Sequence, residues 1–156
     1  MAECLTIADI HSLGQSEATD ILTRIARVEK KTFPPSESYD FSIDLWRKKP
    51  NTRVIYATYP PLTLVAYAVY VRQKGIALLH KVCVAEQYRQ QGIGTQLLKY
   101  IQERLAREGC QCIQLWVDEV REPARALYSR CGFHEREAVA DYYAPGRTGI
   151  RMVFAL

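Results

Sequence analysis

The chain has 156 residues, of which 48% are hydrophobic and 24% charged, and carries a net charge of +4. That length fits one domain over 1–156 with a core of its own, and a composition this close to the globular average excludes wholesale disorder and collagen-like order. The basic excess is small and scattered, so it accommodates an anionic cofactor but does not point to nucleic acid; with no apolar run near the roughly 18 residues of a membrane helix, no membrane partner is expected either.

Met1-Ala2-Glu3-Cys4-Leu5 has neither a basic leader nor a long apolar stretch. No secretory signal is expected, and the cytoplasm, with the nucleus as a second compartment, is the expected location. Five cysteines, an odd number, read as reduced thiols rather than a disulfide framework. Cys110 and Cys112 are the close pair, but no second pair or histidine stands at zinc spacing, so no metal is expected.

In chain order, Cys4 to Ala8 reads as a short strand. Ile21, Leu22, Ile25, Val28 and Phe33 recur at helical spacing, which predicts an amphipathic helix from Ser16 to about Thr32, stopped by Pro34-Pro35. Ser38 to Lys48 is expected to form a second short helix. Arg53–Tyr59 and Leu62–Val71, rich in β-branched and aromatic residues around Pro60-Pro61, predict a hairpin. A third strand, Ile76–Val84, leads through a glycine-containing turn into a helix with the apolar face Ile93, Leu97, Leu98, Ile101 and Leu105, which Gly109 is placed to end in a left-handed cap. Cys112–Val117 is then a buried strand, and strand, helix and strand of this length make a crossover with parallel strands. Pro123 and Gly132 frame a helix over Glu122–Cys131. Two late strands, about Phe133–Ala140 and Ile150–Leu156, are expected to be joined by a loop from Asp141 to Gly146. The fold class is therefore α+β: a mixed, mostly antiparallel sheet with a central parallel pair and helices on both faces.

Gly92 and Gly94 at the head of a helix leave backbone N–H groups unobstructed at the positive end of its dipole, where a diphosphate is a natural ligand, and Arg89 adds a charge beside it. A G-x-G turn alone is equally a plain strand-to-helix turn; no Lys-Ser/Thr follows, as a Walker loop needs, and the third glycine of a dinucleotide fingerprint is missing.

The longer string Val82-Cys83-Val84, Tyr88-Arg89-Gln90-Gln91-Gly92-Ile93-Gly94-Thr95 and Leu97-Leu98 resembles the acetyl-CoA loop of the GNAT N-acetyltransferase superfamily. Ala124, Leu127-Tyr128 and Gly132-Phe133 resemble its second motif, and the likeness runs from about Ile7 onward. The resemblance implies the acyl-CoA N-acyltransferase fold with a splayed central parallel pair, and acetyl-CoA as co-substrate. The pantetheine arm would then bond along Val82 to Val84, the Val82 amide would stabilise the tetrahedral oxyanion, and the amine would attack directly. Cys83 faces away from His80 on an ideal strand, so a covalent route through its thiol is not expected. Arg121 stands where the family usually has an asparagine that touches the pantetheine; it would reach a cofactor phosphate instead, or solvent. Tyr128 matches the tyrosine that in many members protonates the departing thiolate, a contribution of typically ~10²–10⁴-fold, with an aromatic core residue as the alternative.

For the base, His80 shares a strand face with Val82 and Val84 and matches a catalytic histidine of the arylalkylamine branch, although a structural histidine is an equal reading. Trp116, at a second-strand position where some relatives carry His or Glu, cannot take a proton. Glu29 and Glu37 are further candidates. At neutral pH, deprotonating lysine costs ~4 kcal/mol and an α-amine about 1 kcal/mol, so a site with one weak base suits α-amines. The stretch from Thr32 to Tyr39, with Phe33, Pro34 and Glu37, resembles the peptide-pocket loop of protein N-terminal acetyltransferases. The Tyr142-Tyr143 pair resembles their peptide-binding hairpin, although adjacent strand residues face oppositely unless a bulge intervenes. Three functions are carried: a protein N-terminal α-acetyltransferase acting as a monomer or weak homodimer, an acetyltransferase of arylalkylamines, polyamines or drugs, and a non-catalytic acetyl-CoA-binding module.

Overall fold

The apolar period along residues 16–32 becomes helix α1 (Gln15–Thr32) in the computed structural model, which describes residues 4–156; residues 1–3, where the leader reading begins, lie outside the described residues. Three further helices follow, α2 (Asp44–Arg47), α3 (Ile93–Arg107) and α4 (Glu122–Arg130). The strands are β1 (Thr6–Asp9), β2 (Thr52–Tyr59), β3 (Thr63–Gln73), β4 (Ile76–Val84), β5 (Cys112–Asp118), β6 (His134–Ala144) and β7 (Arg147–Ala155). Hydrogen-bonded pairing orders them β1-β2-β3-β4-β5-β7-β6. The pair β4 and β5 is parallel, with Ile76 opposite Cys112 and Leu79 opposite Leu115, whereas β7 runs antiparallel to both its neighbours. This is the mixed α+β sheet expected from the sequence.

The chain folds into two compact units, one comprising the chain to Tyr70 together with Lys81–Leu97, the other Val71–His80 together with Leu98–Leu156. In the first, Ile21, Leu22 and Ile25 of α1 meet Phe41, Leu45, Val54, Tyr67, Val69 and Cys83 in one buried cluster. Each such aliphatic side chain contributes roughly 1.5–3 kcal/mol on leaving water. In the second, Ile101, Leu105, Ile113, Leu115, Val117, Ile150 and Met152 are buried. Gly109, at φ +82°, ends α3 as expected, with Cys110 N–H donating to the Leu105 carbonyl at 3.0 Å. No helix among the described residues is long and apolar enough to cross a membrane.

Two expectations need correction. The helix expected over Ser38–Lys48 shrinks to the four residues of α2, because the chain before it is tied down by a tertiary bond, Tyr39 N–H to the Glu29 carboxylate at 2.7 Å. The loop expected from Asp141 to Gly146 is mostly strand: β6 runs to Ala144, so Tyr142 and Tyr143 lie within it. Cross-strand pairing with β7 outweighs the local turn signal of Pro145-Gly146, which reduces to the tip of the hairpin.

Candidate active site

In the first unit, Val84 ends β4 and Ala85 N–H donates to the Val65 carbonyl at 2.8 Å, tying the following loop to β3. After a single 3-10 turn at Glu86–Tyr88, Arg89 folds back so that its Nε donates to the Val84 carbonyl at 3.0 Å. Its charge is thereby held at the loop. Gln90 and Gly92 are left-handed, at φ +62° and +80°; left-handed residues in such turns build the backbone nests that cradle anions. The first helical bond of α3 is Gln96 N–H to the Gly92 carbonyl, at 3.1 Å. The amides of Ile93, Gly94 and Thr95 therefore precede the helical ladder, at the positive end of the dipole. A Cβ on Gly92 would meet nothing within 4 Å, so the space beside Gly92 is open. Gln90, Gln91, Gly92 and Thr95 are exposed, whereas Ile93 and Gly94 are buried.

On β4, Val82 and Val84 are half-buried and Cys83 is buried. Burial pushes the Cys83 thiol pKa up, which removes thiolate character and leaves only the backbone of this residue to a ligand. Glu29 is also buried, with Tyr67 Oη donating to one oxygen at 2.5 Å and Lys81 Nζ to the other at 2.7 Å. Phe33 is half-buried and Pro34 and Glu37 are exposed on the loop after α1. Lys81 is not marked out by any motif of the sequence. A lysine alternating with buried Leu79 and Cys83 was the available signal, since a cation on a buried strand face requires a partner.

In the second unit, His80 is exposed on β4 and desolvation lowers its imidazole pKa, which favours the neutral ring. Tyr128 is half-buried on α4, its ring 5.8 Å from that of Phe133. Desolvation raises its phenol pKa to about 12, with Arg121 opposing the shift. Arg121 itself is exposed at the head of α4, its N–H bonded to the Asp118 carbonyl at 3.0 Å.

The tyrosine pair is assembled by an irregularity that the sequence does not display. Val139 pairs with Gly149 and Ala144 with Arg147, so four residues of β6 oppose one of β7, and Asp141 takes φ +58°. That bulge brings the Tyr142 and Tyr143 rings edge to face at 4.9 Å. Tyr142 also stacks on Trp116 at 4.1 Å and 11°. Trp116, excluded above as a base, is thus a support for the pair. Beside them Arg147 holds the buried Asp118 carboxylate at 2.8 Å. Tyr142 lies against Gly149, where an added Cβ would sit 2.5 Å from its ring. Gly149→Ala is accordingly expected to destabilise the fold by about 1–3 kcal/mol through overpacking, read as a lower urea midpoint at unchanged m, with altered Trp116 fluorescence as the stack shifts. Among the described residues no group of three or more His, Cys, Asp or Glu is placed to hold a metal.

Comparison with known proteins gives one consistent family. The acetyltransferase (GNAT) family model matches residues 18–133. An uncharacterized N-acetyltransferase of Methanocaldococcus jannaschii is 26% identical over 133 residues, covering 85% of this chain and 84% of that protein. Another from the same organism is 32% identical over 72 residues, 46% of this chain, a match that spans about a third (32%) of that longer relative. Among solved structures, the ribosomal-protein-S18-alanine N-acetyltransferase from Escherichia coli superposes with a TM-score of 0.79 at 22% identity, over 97% of this chain and 94% of that one.

Proposed function

The chain belongs to the GNAT acetyltransferase family and is an acetyl-CoA-dependent N-acetyltransferase, and from that premise we propose that its acceptor is the N-terminal α-amine of a protein or peptide. The observation that supports this reading is the β6 bulge. It removes the objection that adjacent tyrosines must face apart, leaving Tyr142 and Tyr143 in ring contact and 43% and 40% exposed. Their exposed rings then sit side by side, as a peptide-binding pair requires. The similar Escherichia coli protein is itself named for an alanine substrate in a ribosomal protein.

In this mechanism the amides from Gln90 to Thr95 and the Arg89 guanidinium hold the diphosphate of acetyl-CoA, and the backbone from Val82 to Val84 takes the pantetheine. The Val82 N–H donates to the thioester oxygen as the amine attacks, where an oriented amide is worth most. His80, favoured as the neutral ring, accepts the proton of the attacking amine, and Tyr128 donates to the departing thiolate. Arg121 steadies a cofactor phosphate. Glu29 is given no part in this scheme, because both its oxygens already accept hydrogen bonds from the protein. Phe33, Pro34 and Glu37 line the acceptor side.

A small-amine acceptor is the second reading, favoured by the exposed His80 with its lowered pKa. Thiol release from acetyl-CoA separates the two. Peptides with a free α-amine are expected to turn over at least tenfold faster than α-blocked peptides with free lysines, polyamines or arylalkylamines. Faster turnover of any small amine would overturn the peptide assignment.

A further inference from the structure

Lys81 and Glu29 form a partly buried ion pair that the chemistry above does not use. The Lys81 ammonium donates to Glu29 Oε2 at 2.7 Å and to the Glu37 carbonyl at 2.8 Å, and lies 3.5 Å from the centroid of the Phe33 ring. The Glu29 and Lys81 side chains are 1% and 12% exposed. Glu29 accepts Tyr39 N–H on Oε2 at 2.7 Å and Tyr67 Oη on Oε1 at 2.5 Å. Three of these contacts, a ring, a carbonyl and an amide, belong to the one loop from Phe33 to Tyr39. A cation from β4 and a carboxylate from α1 therefore grip that loop at both ends. Glu29 is shielded from water and Lys81 largely so, which makes the grip directional.

We infer that the Lys81–Glu29 pair is a positioning device that sets the acceptor-binding loop against β4 and so governs affinity for the amine rather than the rate of acetyl transfer. This rests on the reading of Phe33, Pro34 and Glu37 as the acceptor wall. Lys81 directly precedes Val82, and successive residues of a strand face opposite ways. One strand thus offers a side chain to the loop and, one residue on, a backbone amide to the thioester.

Removing Lys81 alone would strand a buried carboxylate and threaten the fold, so the informative variant neutralises both partners. In Lys81→Met/Glu29→Gln the Met stem still covers Phe33 and the Gln retains an acceptor oxygen. With the acceptor that turns over fastest in the thiol-release assay, its KM is expected to rise at least tenfold, while kcat stays within threefold and the acetyl-CoA KM within twofold. Lys81→Arg, which keeps the charge, is expected to hold the acceptor KM within threefold of the parent. Trypsin should also cut the double variant faster at the exposed Lys30 and Lys31, beside the loop. An unchanged acceptor KM, a loss confined to kcat, or Lys81→Arg behaving like the double variant would overturn the proposal. If a small amine turns over fastest, the peptide reading falls while the same KM test still judges the clamp. If the double variant does not fold, Lys81→Arg and the trypsin rate of Glu29→Gln decide the matter, a parent-like rate in the latter counting against the clamp.

Discussion

Gly92→Glu is expected to weaken acetyl-CoA binding at least a hundredfold while leaving the protein folded. Gly92 has open space around its Cβ position and a φ of +80°. A side chain there costs about 1–2 kcal/mol in backbone strain, which a carboxylate at the head of α3 offsets by roughly 0.3–1 kcal/mol through the helix dipole. Stability should therefore shift little. The ligand meets a different balance: a carboxylate about 5 Å from a diphosphate repels it by nearly 2 kcal/mol even at an effective dielectric of about 40, and the bulk of the side chain blocks the amides. Together these exceed the roughly 2.7 kcal/mol of a hundredfold loss. Calorimetric titration with acetyl-CoA measures it, and a Kd within threefold of the parent would remove the loop from the diphosphate site.

Tyr128→Phe is expected to lower kcat about ten- to thirtyfold with the acetyl-CoA KM within threefold. The size follows from proton affinities. A phenol of pKa about 12 facing a thiol near 8.5 would give up its proton uphill by roughly 3.5 units, near 5 kcal/mol. Tyr128 therefore acts chiefly by donating a hydrogen bond to the developing thiolate, and complete transfer comes later, from solvent. That places the loss below the usual ~10²–10⁴-fold of full general-acid catalysis. Because the phenol stays protonated far above neutrality, the kcat profile of the parent should show no basic limb from this group below about pH 11. Equal kcat for parent and variant would return Tyr128 to the aromatic packing it shares with Phe133.

Elements whose signals are local were readable without a structure. The period of Ile21, Leu22 and Ile25, the bounds of β4 and the cap at Gly109 all follow from residues within a few positions of one another. The turn from Arg89 into α3 was readable for the same reason: its left-handed residues and its helix start lie within one short run. What failed depends on partners distant in the chain. Nothing near Tyr39 announces that its N–H is held by Glu29, and nothing near Glu29 announces its donors Tyr67 and Lys81, which come from other strands.

By its own order of residues the chain determines an α+β sheet, a helix whose ladder begins only after the amides of Ile93 to Thr95, and a tyrosine near the end of α4. Those are properties of spacing and of local backbone geometry. Only the tertiary structure decided that Glu29 accepts from Tyr39, Tyr67 and Lys81, that Lys81 also bonds the Glu37 carbonyl, and that a bulge opposite Thr148 lets two neighbouring tyrosines meet. Each of these depends on which donors, acceptors and strands arrive at the same place, and pairing across that distance leaves no periodic mark in a sequence.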